Sequence, residues 1–320
     1  MIALLVVLQL LVTQAAPLQD GSEAINVSPD GGEVPTVAPD LTPRLAPILA
    51  PELVSDGGTG PVATPASLSV YSVQLPVEAA ITAGSLGLFL IVDFVVKPTL
   101  EGDISCRRQV GNGRCHPEDL ASFDRYAVGR QSKQWQGFGD AALVASIVAP
   151  FVYLGLESLA LPTTTPLLDY GNDLLVVAEA IALTGAMQTI LKFTFKRPRP
   201  ERYTDAPLGT FEQEVSFPSG HTAMVAAATT ALTTTAFLRH PRSPVKYVVL
   251  GSGLLLTSLT AISRVESGQH FPTDVIVGAL VGGFAGVVVP WLHRRDVPVV
   301  PQASFNPATG QSMFGIAGEF

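Results

Sequence analysis

Lys192-Phe193-Thr194-Phe195-Lys196-Arg197-Pro198-Arg199-Pro200, then Pro218-Ser219-Gly220-His221, then Ser263-Arg264 with His270 and Asp274 behind them: these three clusters decide how the chain is read. Lys192, Arg199 and Arg264 are cations, and His221 and His270 are imidazoles. Asp274 is a carboxylate, Ser219 a hydroxyl, and Gly220 offers a backbone amide. Phosphoryl transfer depends on positioning and on donors that neutralise the equatorial oxygens. The set suits holding a phosphate-like oxyanion and attacking it with an imidazole.

Local sequence places the clusters at helix ends. Pro198 and Pro200 forbid continuation of the helix that ends near Lys192. Ser219 is a plausible N-cap for a helix that begins beside His221, and helix starts bind anions through free N–H groups and the dipole. Ser263 and Arg264 close another helix, and Pro272 opens the next at a first-turn position that proline favours. The end of 172–193, the start of 219–238, the end of 245–263 and the start of 274–293 fall on one face of an up-and-down bundle.

The clusters resemble the signature of the type 2 phosphatidic acid phosphatase / vanadium haloperoxidase superfamily, K-x6-R-P, P-S-G-H and S-R-x5-H-x3-D, with every specified position filled. The resemblance covers roughly the second half of the chain. It implies an all-α helical bundle of five to six core helices and a phosphohistidine mechanism. In that mechanism His270 is the nucleophile, His221 the general acid, and Asp274 holds the His270 tautomer as a carboxylate does in a triad. Lys192, Arg199, Ser219, Gly220 and Arg264 would bind the phosphate. No cofactor is implied, although vanadate fits the same site. The sequence offers no convincing metal cluster. A lone helix-terminal histidine commonly caps carbonyls, the reading given to His240 and His293, with His116 a loop residue. Lys196 and Arg197 suit a solvated loop or headgroup contacts.

Composition points to a membrane. The 320 residues are 47% hydrophobic and 14% charged, against about 25% charged in soluble domains. The net charge is −8, and residues 17–66 hold seven acids and one Arg, so the remainder is near neutral and carries no nucleic-acid footprint. Residues 1–16 read as a signal peptide or N-terminal anchor, being too short an apolar run to span a bilayer. Residues 17–66, with nine prolines and a four-residue repeat from Ala38 to Leu53, read as an acidic, disordered linker. Residues 67–293 are the expected helical domain, membrane-embedded. Residues 294–320 form a tail with a β-hairpin.

Within that domain, 77–97 is an apolar helix interrupted by Glu78 and Asp93. Residues 98–138 are polar, with an amphipathic surface helix from Glu118 onward. Cys106 and Cys115 flank a Gly-Asn-Gly turn, and in an exported protein they form a disulfide. Five helices follow, at 139–160, 172–193, 219–238, 245–263 and 274–293. Asp140, Glu157, Asp173 and Glu179 make the first two less certain spans. If all six helices cross, an exported linker puts the cysteines and the pocket inside. If 77–97 lies on the membrane surface, both are outside and the disulfide is kept, the preferred arrangement.

The leading expectation is a metal-independent phosphatase at the cell membrane, acting on a lipid phosphate or diphosphate such as phosphatidate or isoprenyl diphosphate, with its pocket on the external face. A soluble exported acid phosphatase of broad specificity (periplasmic or secreted), a vanadate-dependent haloperoxidase and a silent membrane scaffold are the alternatives. Oligomeric state is not legible.

Overall fold

The computed structural model describes residues 69–100, 106–161, 163–205, 211–295, 299–306 and 311–318. The expected signal peptide and linker lie outside them. Among these residues six α-helices make an up-and-down bundle: α1 (Leu75–Ile91), α2 (Lys133–Ala160), α3 (Pro166–Phe195), α4 (Gly220–Arg239), α5 (Val245–Glu266) and α6 (Pro272–Leu292). A short ladder, β1 (Gln109–Val110) with β2 (Arg114–Cys115), sits between α1 and α2. An antiparallel hairpin, β3 (Val299–Asn306) with β4 (Gln311–Gly318), follows α6.

The centre is α4, whose small side chains let neighbouring backbones come close. Ala223, Val225, Ala226, Ala227, Ala228 and Ala231 are all buried. Opposite them, α6 presents Gly278, Gly282 and Gly286. A Cβ at Gly282 would lie 1.9 Å from the Ala223 carbonyl oxygen, and one at Gly286 would lie 2.7 Å from that of Ala227. This contact sets the N-terminus of α4, with Ser219 and His221, beside that of α6, with His270 and Asp274. The Ser219 N–H donates to the Asp274 carbonyl at 3.0 Å. Gly282→Ala is expected to force the two helices apart at a cost of about 1–3 kcal/mol, seen as a lowered thermal midpoint in detergent.

Among the described residues, five helical segments are long and apolar enough to cross a membrane: Leu75–Thr99, Lys133–Ala160, Pro166–Tyr203, Val245–Glu266 and Pro272–Leu292. Large apolar side chains, among them Leu90, Phe94, Val144, Leu254, Leu280 and Phe284, face outward from them, as a lipid-facing surface requires. The chain is a membrane protein. The acids that made α2 and α3 doubtful spans are paired instead of exposed to lipid. Arg239 bonds both Glu157 and Asp173. His240 Nε2 lies 2.7 Å from Glu157, so His240 pairs with a carboxylate rather than capping a carbonyl. Ser69 donates to Asp173 at 2.9 Å.

Two expectations are corrected. Segment 77–97 is not a surface helix. From Glu78 to Lys97 it runs along α3, with Phe89 against Gly185 and Asp93 accepting from Thr189 at 2.9 Å. Alternation then puts Ser69–Gln74 at one end of the bundle and the cysteine loop at the other. Ser72 bonds the His293 carbonyl, and Tyr71 bridges Arg294, which fixes that first end beside the C-terminus of α6. The stretch after Glu118 is not an amphipathic helix either. It forms short 3₁₀ turns at Pro117–Asp119 and Asp124–Ala127. Gly129 then takes a left-handed φ of +82°, and α2 starts only at Lys133, where Ser132 caps the Trp135 amide.

Candidate active site

The residues expected to act together meet at one end of the bundle. Lys192 ends α3, Ser219, Gly220 and His221 open α4, Arg264 closes α5, and His270 and Asp274 flank the start of α6. Arg199 lies on the loop after α3 and is buried, as are Lys192, Ser219, Arg264, His270 and Asp274. Lys192, Arg199 and Arg264 act on one another electrostatically. The field of Arg199 and Arg264 reaches His270, and that of Arg264 and Lys192 reaches His221. Arg199 Nε and Arg264 Nε are buried donors that make no hydrogen bond among the described residues. Buried donors left open in a cationic cluster are suited to an anion. A Cβ at Gly220 would fall 2.9 Å from Gln188 Oε1 and 3.5 Å from Lys192 Nζ, so glycine here lets the lysine reach the start of α4.

The orientation of His270 differs from the expected triad. Its Nδ1 lies 2.7 Å from the Ser216 carbonyl and 3.7 Å from Asp274 Oδ2. A carbonyl only accepts, so Nδ1 carries the proton and Nε2 the lone pair. Asp274 acts one step removed. Its Oδ2 accepts from the Phe271 N–H at 2.9 Å and from the Ser216 hydroxyl, the same residue whose carbonyl holds the imidazole. Burial, with Arg199 and Arg264 nearby and against the pull of Asp274, pushes the His270 pKa down to about 3. The ring is therefore neutral in the free protein near neutral pH, with its lone pair on Nε2.

His221 Nε2 lies 2.9 Å from Asp140 Oδ1, and Arg264 Nη1 lies 3.0 Å from the same oxygen. Asp140, half-exposed on α2, is a site residue that sequence reading treated only as an awkward acid in a span. Burial, with Arg264 and Lys192 nearby and against the pull of Asp140, lowers the His221 pKa to about 4, and a phosphate anion beside the ring would add to the pull of Asp140 and favour its protonated form. Ser219 occupies the N-cap position of α4, but its hydroxyl faces Thr222 Oγ1 at 3.1 Å and makes no cap bond to an amide.

Three further residues had no sequence signal. Arg197, read as a solvated loop residue, is half-buried and joins Asp274 at 2.5 Å to Asp124 at 2.7 Å. Asp124 in turn accepts from the Thr273 N–H at 3.0 Å and from its hydroxyl at 2.8 Å. Lys97, in the 3₁₀ turn that follows α1, adds a fourth cation, bonded to Asp93 at 2.7 Å and Glu212 at 2.5 Å. Glu212 also bonds Arg199, so its carboxylate sits between two cations, Lys97 and Arg199. Lys196 takes the left-handed cap position of α3 with φ 41°. Glu212→Gln removes an internal competitor for anions and is expected to lower the inhibition constant for inorganic phosphate about 3- to 10-fold, measured by competition at constant ionic strength.

The cysteine loop closes over the same end, with Cys106 and Cys115 joined in a disulfide. His116 is a loop residue whose Nδ1 accepts from the Glu118 N–H at 3.3 Å. Glu78, Glu179 and His293 converge, at the other end of the bundle. His293 does cap a carbonyl, that of Val289 at 2.8 Å, but its second nitrogen faces the two glutamates.

Residues 173–298, which hold Lys192, Arg199, His221, Arg264, His270 and Asp274, match the profile of the PAP2 superfamily. Among similar curated proteins is a lipid A 1-phosphatase of Porphyromonas gingivalis, 33% identical over 124 residues, 39% of this chain and 24% of the relative. A lipid A 1-phosphatase of Rhizobium etli is 29% identical over 36% of this chain and 48% of its own. A decaprenylphosphoryl-5-phosphoribose phosphatase of Mycobacterium tuberculosis is 26% identical over 37% of this chain and 60% of the relative. The chain thus spans from about a quarter to three fifths of these relatives' length. Among solved structures, a transmembrane PAP2-type phosphatidylglycerolphosphate phosphatase from Bacillus subtilis aligns with a TM-score of 0.40 and 21% identity, over 66% of this chain and 93% of its own. LpxE of Aquifex aeolicus aligns with a TM-score of 0.37 and 24% identity, over 54% and 96%.

Proposed function

We propose that the protein is a lipid phosphate phosphatase that works through a phosphohistidine at His270, without a metal in the reaction. The observation that carries this is the His270 ring, neutral and locked with Nε2 as the free lone pair, in a buried cluster of Lys192, Arg199 and Arg264. Nε2 attacks phosphorus while the cations, the Gly220 amide and Ser219 hold the equatorial oxygens. The P–O bond to the leaving alkoxide breaks, and His221 supplies its proton. Water then attacks the phosphohistidine, passes a proton to His221, and releases inorganic phosphate and neutral His270. Asp274 orients His270 through Ser216 and steadies the charge that develops on the ring.

Membrane helices and the phosphatase names of the relatives support a lipid substrate. The cation cluster lies at the end of apolar spans, the level at which lipid headgroups sit. A phosphomonoester such as phosphatidate and a diphosphate such as an isoprenyl diphosphate share the group it would grip. The pocket faces the external side in this reading, because the Cys106–Cys115 disulfide lies at the same end and persists in an oxidising compartment; with all six helices crossing, the segment before α1 then lies on the inner side, and the expectation of an exported linker is given up. The test is phosphate release from detergent-dispersed phosphatidate and isoprenyl diphosphate, with EDTA present. Release from either supports the reading. Release only from soluble phosphomonoesters would replace it with a broad-specificity phosphatase.

A further inference from the structure

At the end of the bundle opposite the pocket, α1, α3 and the C-terminus of α6 each send one acidic or imidazole side chain to a common point. Glu78 and Glu179 are 3% and 4% exposed, and His293 is nearly as buried. His293 Nε2 lies 3.2 Å from Glu78 Oε2 and 3.5 Å from Glu179 Oε2, and all three ligand atoms lie within 4.8 Å of one another. Glu179 Oε2 and His293 Nε2 are buried atoms that make no hydrogen bond among the described residues. The other imidazole nitrogen, Nδ1, is tied to the Val289 carbonyl at 2.8 Å, which leaves Nε2 its lone pair and aims it at the carboxylates. Backbone carbonyls commonly fix metal-binding histidines in this way.

We propose that Glu78, Glu179 and His293 form a structural divalent-cation site of the zinc type that ties α1 to α3 and α6. Bonds of about 2.0–2.1 Å in a tetrahedron put neighbouring ligand atoms about 3.3 Å apart, close to the separations found. Charge points the same way. Two ionised carboxylates buried side by side are costly, and one divalent ion with a neutral imidazole brings the cluster to zero. Protonating both the imidazole and one carboxylate also reaches zero, and this is the competing arrangement. Two carboxylates and one imidazole suit zinc better than magnesium or calcium, which take oxygen ligands alone. With three protein ligands, a water or a group of the chain completes the shell. The site is separate from the phosphate chemistry. Its effect on the pocket is indirect: it fixes the α1 helix, whose far end carries Asp93 and Lys97.

The experiment uses the full-length, untagged protein in detergent, stripped with EDTA and titrated with Zn²⁺. Bound metal is counted by mass spectrometry after gel filtration. One zinc per chain is expected in the wild type and none in Glu179→Gln or His293→Gln, with a thermal midpoint raised by about 5 °C in the wild type alone. Glu179→Gln keeps the size of the side chain and removes a buried charge, so it is suited to fold. If a variant does not fold, X-ray absorption at the zinc edge of the wild type decides, with one imidazole and carboxylate oxygens expected. No retained zinc, equal zinc in wild type and variants, or a shell without imidazole or with several imidazoles would each overturn the proposal in favour of a proton-neutralised cluster.

Discussion

Replacement of His270 by alanine is expected to reduce phosphate release by at least about 10⁴-fold, the scale seen when a covalent nucleophile is removed. The fold should survive, because among the described residues the ring is held by a hydrogen bond to the Ser216 carbonyl, and the helices around it are held by the α4–α6 contact. A thermal midpoint within a few degrees of wild type would separate lost chemistry from lost structure. His221→Ala should behave differently. It removes the leaving-group proton, worth about 10²–10⁴-fold, and the loss should shrink for p-nitrophenyl phosphate, whose leaving group needs no acid. Equal losses for alkyl and nitrophenyl esters would remove His221 from that role. Activity retained in His270→Ala would remove His270 from its own.

The second large effect is structural. Arg197→Ala should destabilise the protein by about 3–5 kcal/mol, because it leaves two buried carboxylates, Asp124 and Asp274, without their shared cation. A lowering of the thermal midpoint by roughly 10 °C is expected. Arg197→Lys should recover only part of it. A point ammonium on a flexible stem does not reproduce the two-sided guanidinium, which donates through Nη1 to Asp274 and through Nη2 to Asp124. Lost activity in Arg197→Ala should follow the lost fold and the displacement of Asp274. A midpoint unchanged from wild type would mean that Arg197 is the solvated loop residue its sequence context suggests.

That context shows what sequence could and could not convey. Proline positions and apolar runs placed the last three of five helices to within three residues, because they act locally on the backbone, while the first two begin six residues earlier than the apolar runs suggested. The clusters fell on one face because helix ends alternate in an up-and-down bundle. What stayed hidden depends on side chains meeting from distant segments. Arg197 sits among Lys196, Pro198 and Arg199, and nothing nearby in the chain announces that Asp124 will reach it. Asp140 looked like a fault in a membrane helix, yet it bonds His221 and Arg264. Glu78 and Glu179 weakened two spans on paper and instead face His293. The Ser216 carbonyl was invisible for another reason. Backbone groups carry no sequence identity, so a carboxylate four residues from His270 took the role that the carbonyl holds. The apolar stretch 77–97 was set on the membrane surface by arithmetic about the disulfide, and its packing along α3 corrects that.

The most direct measurement is capture of the covalent intermediate. The purified protein is mixed with phosphatidate, quenched in alkali within milliseconds, digested, and mapped by mass spectrometry under conditions that keep phosphoramidates intact. A phosphoryl group on His270, absent without substrate and accumulating when His221 is replaced, is the result the mechanism predicts. Active turnover with no phosphoryl group on His270, or with one on a different residue, would contradict it.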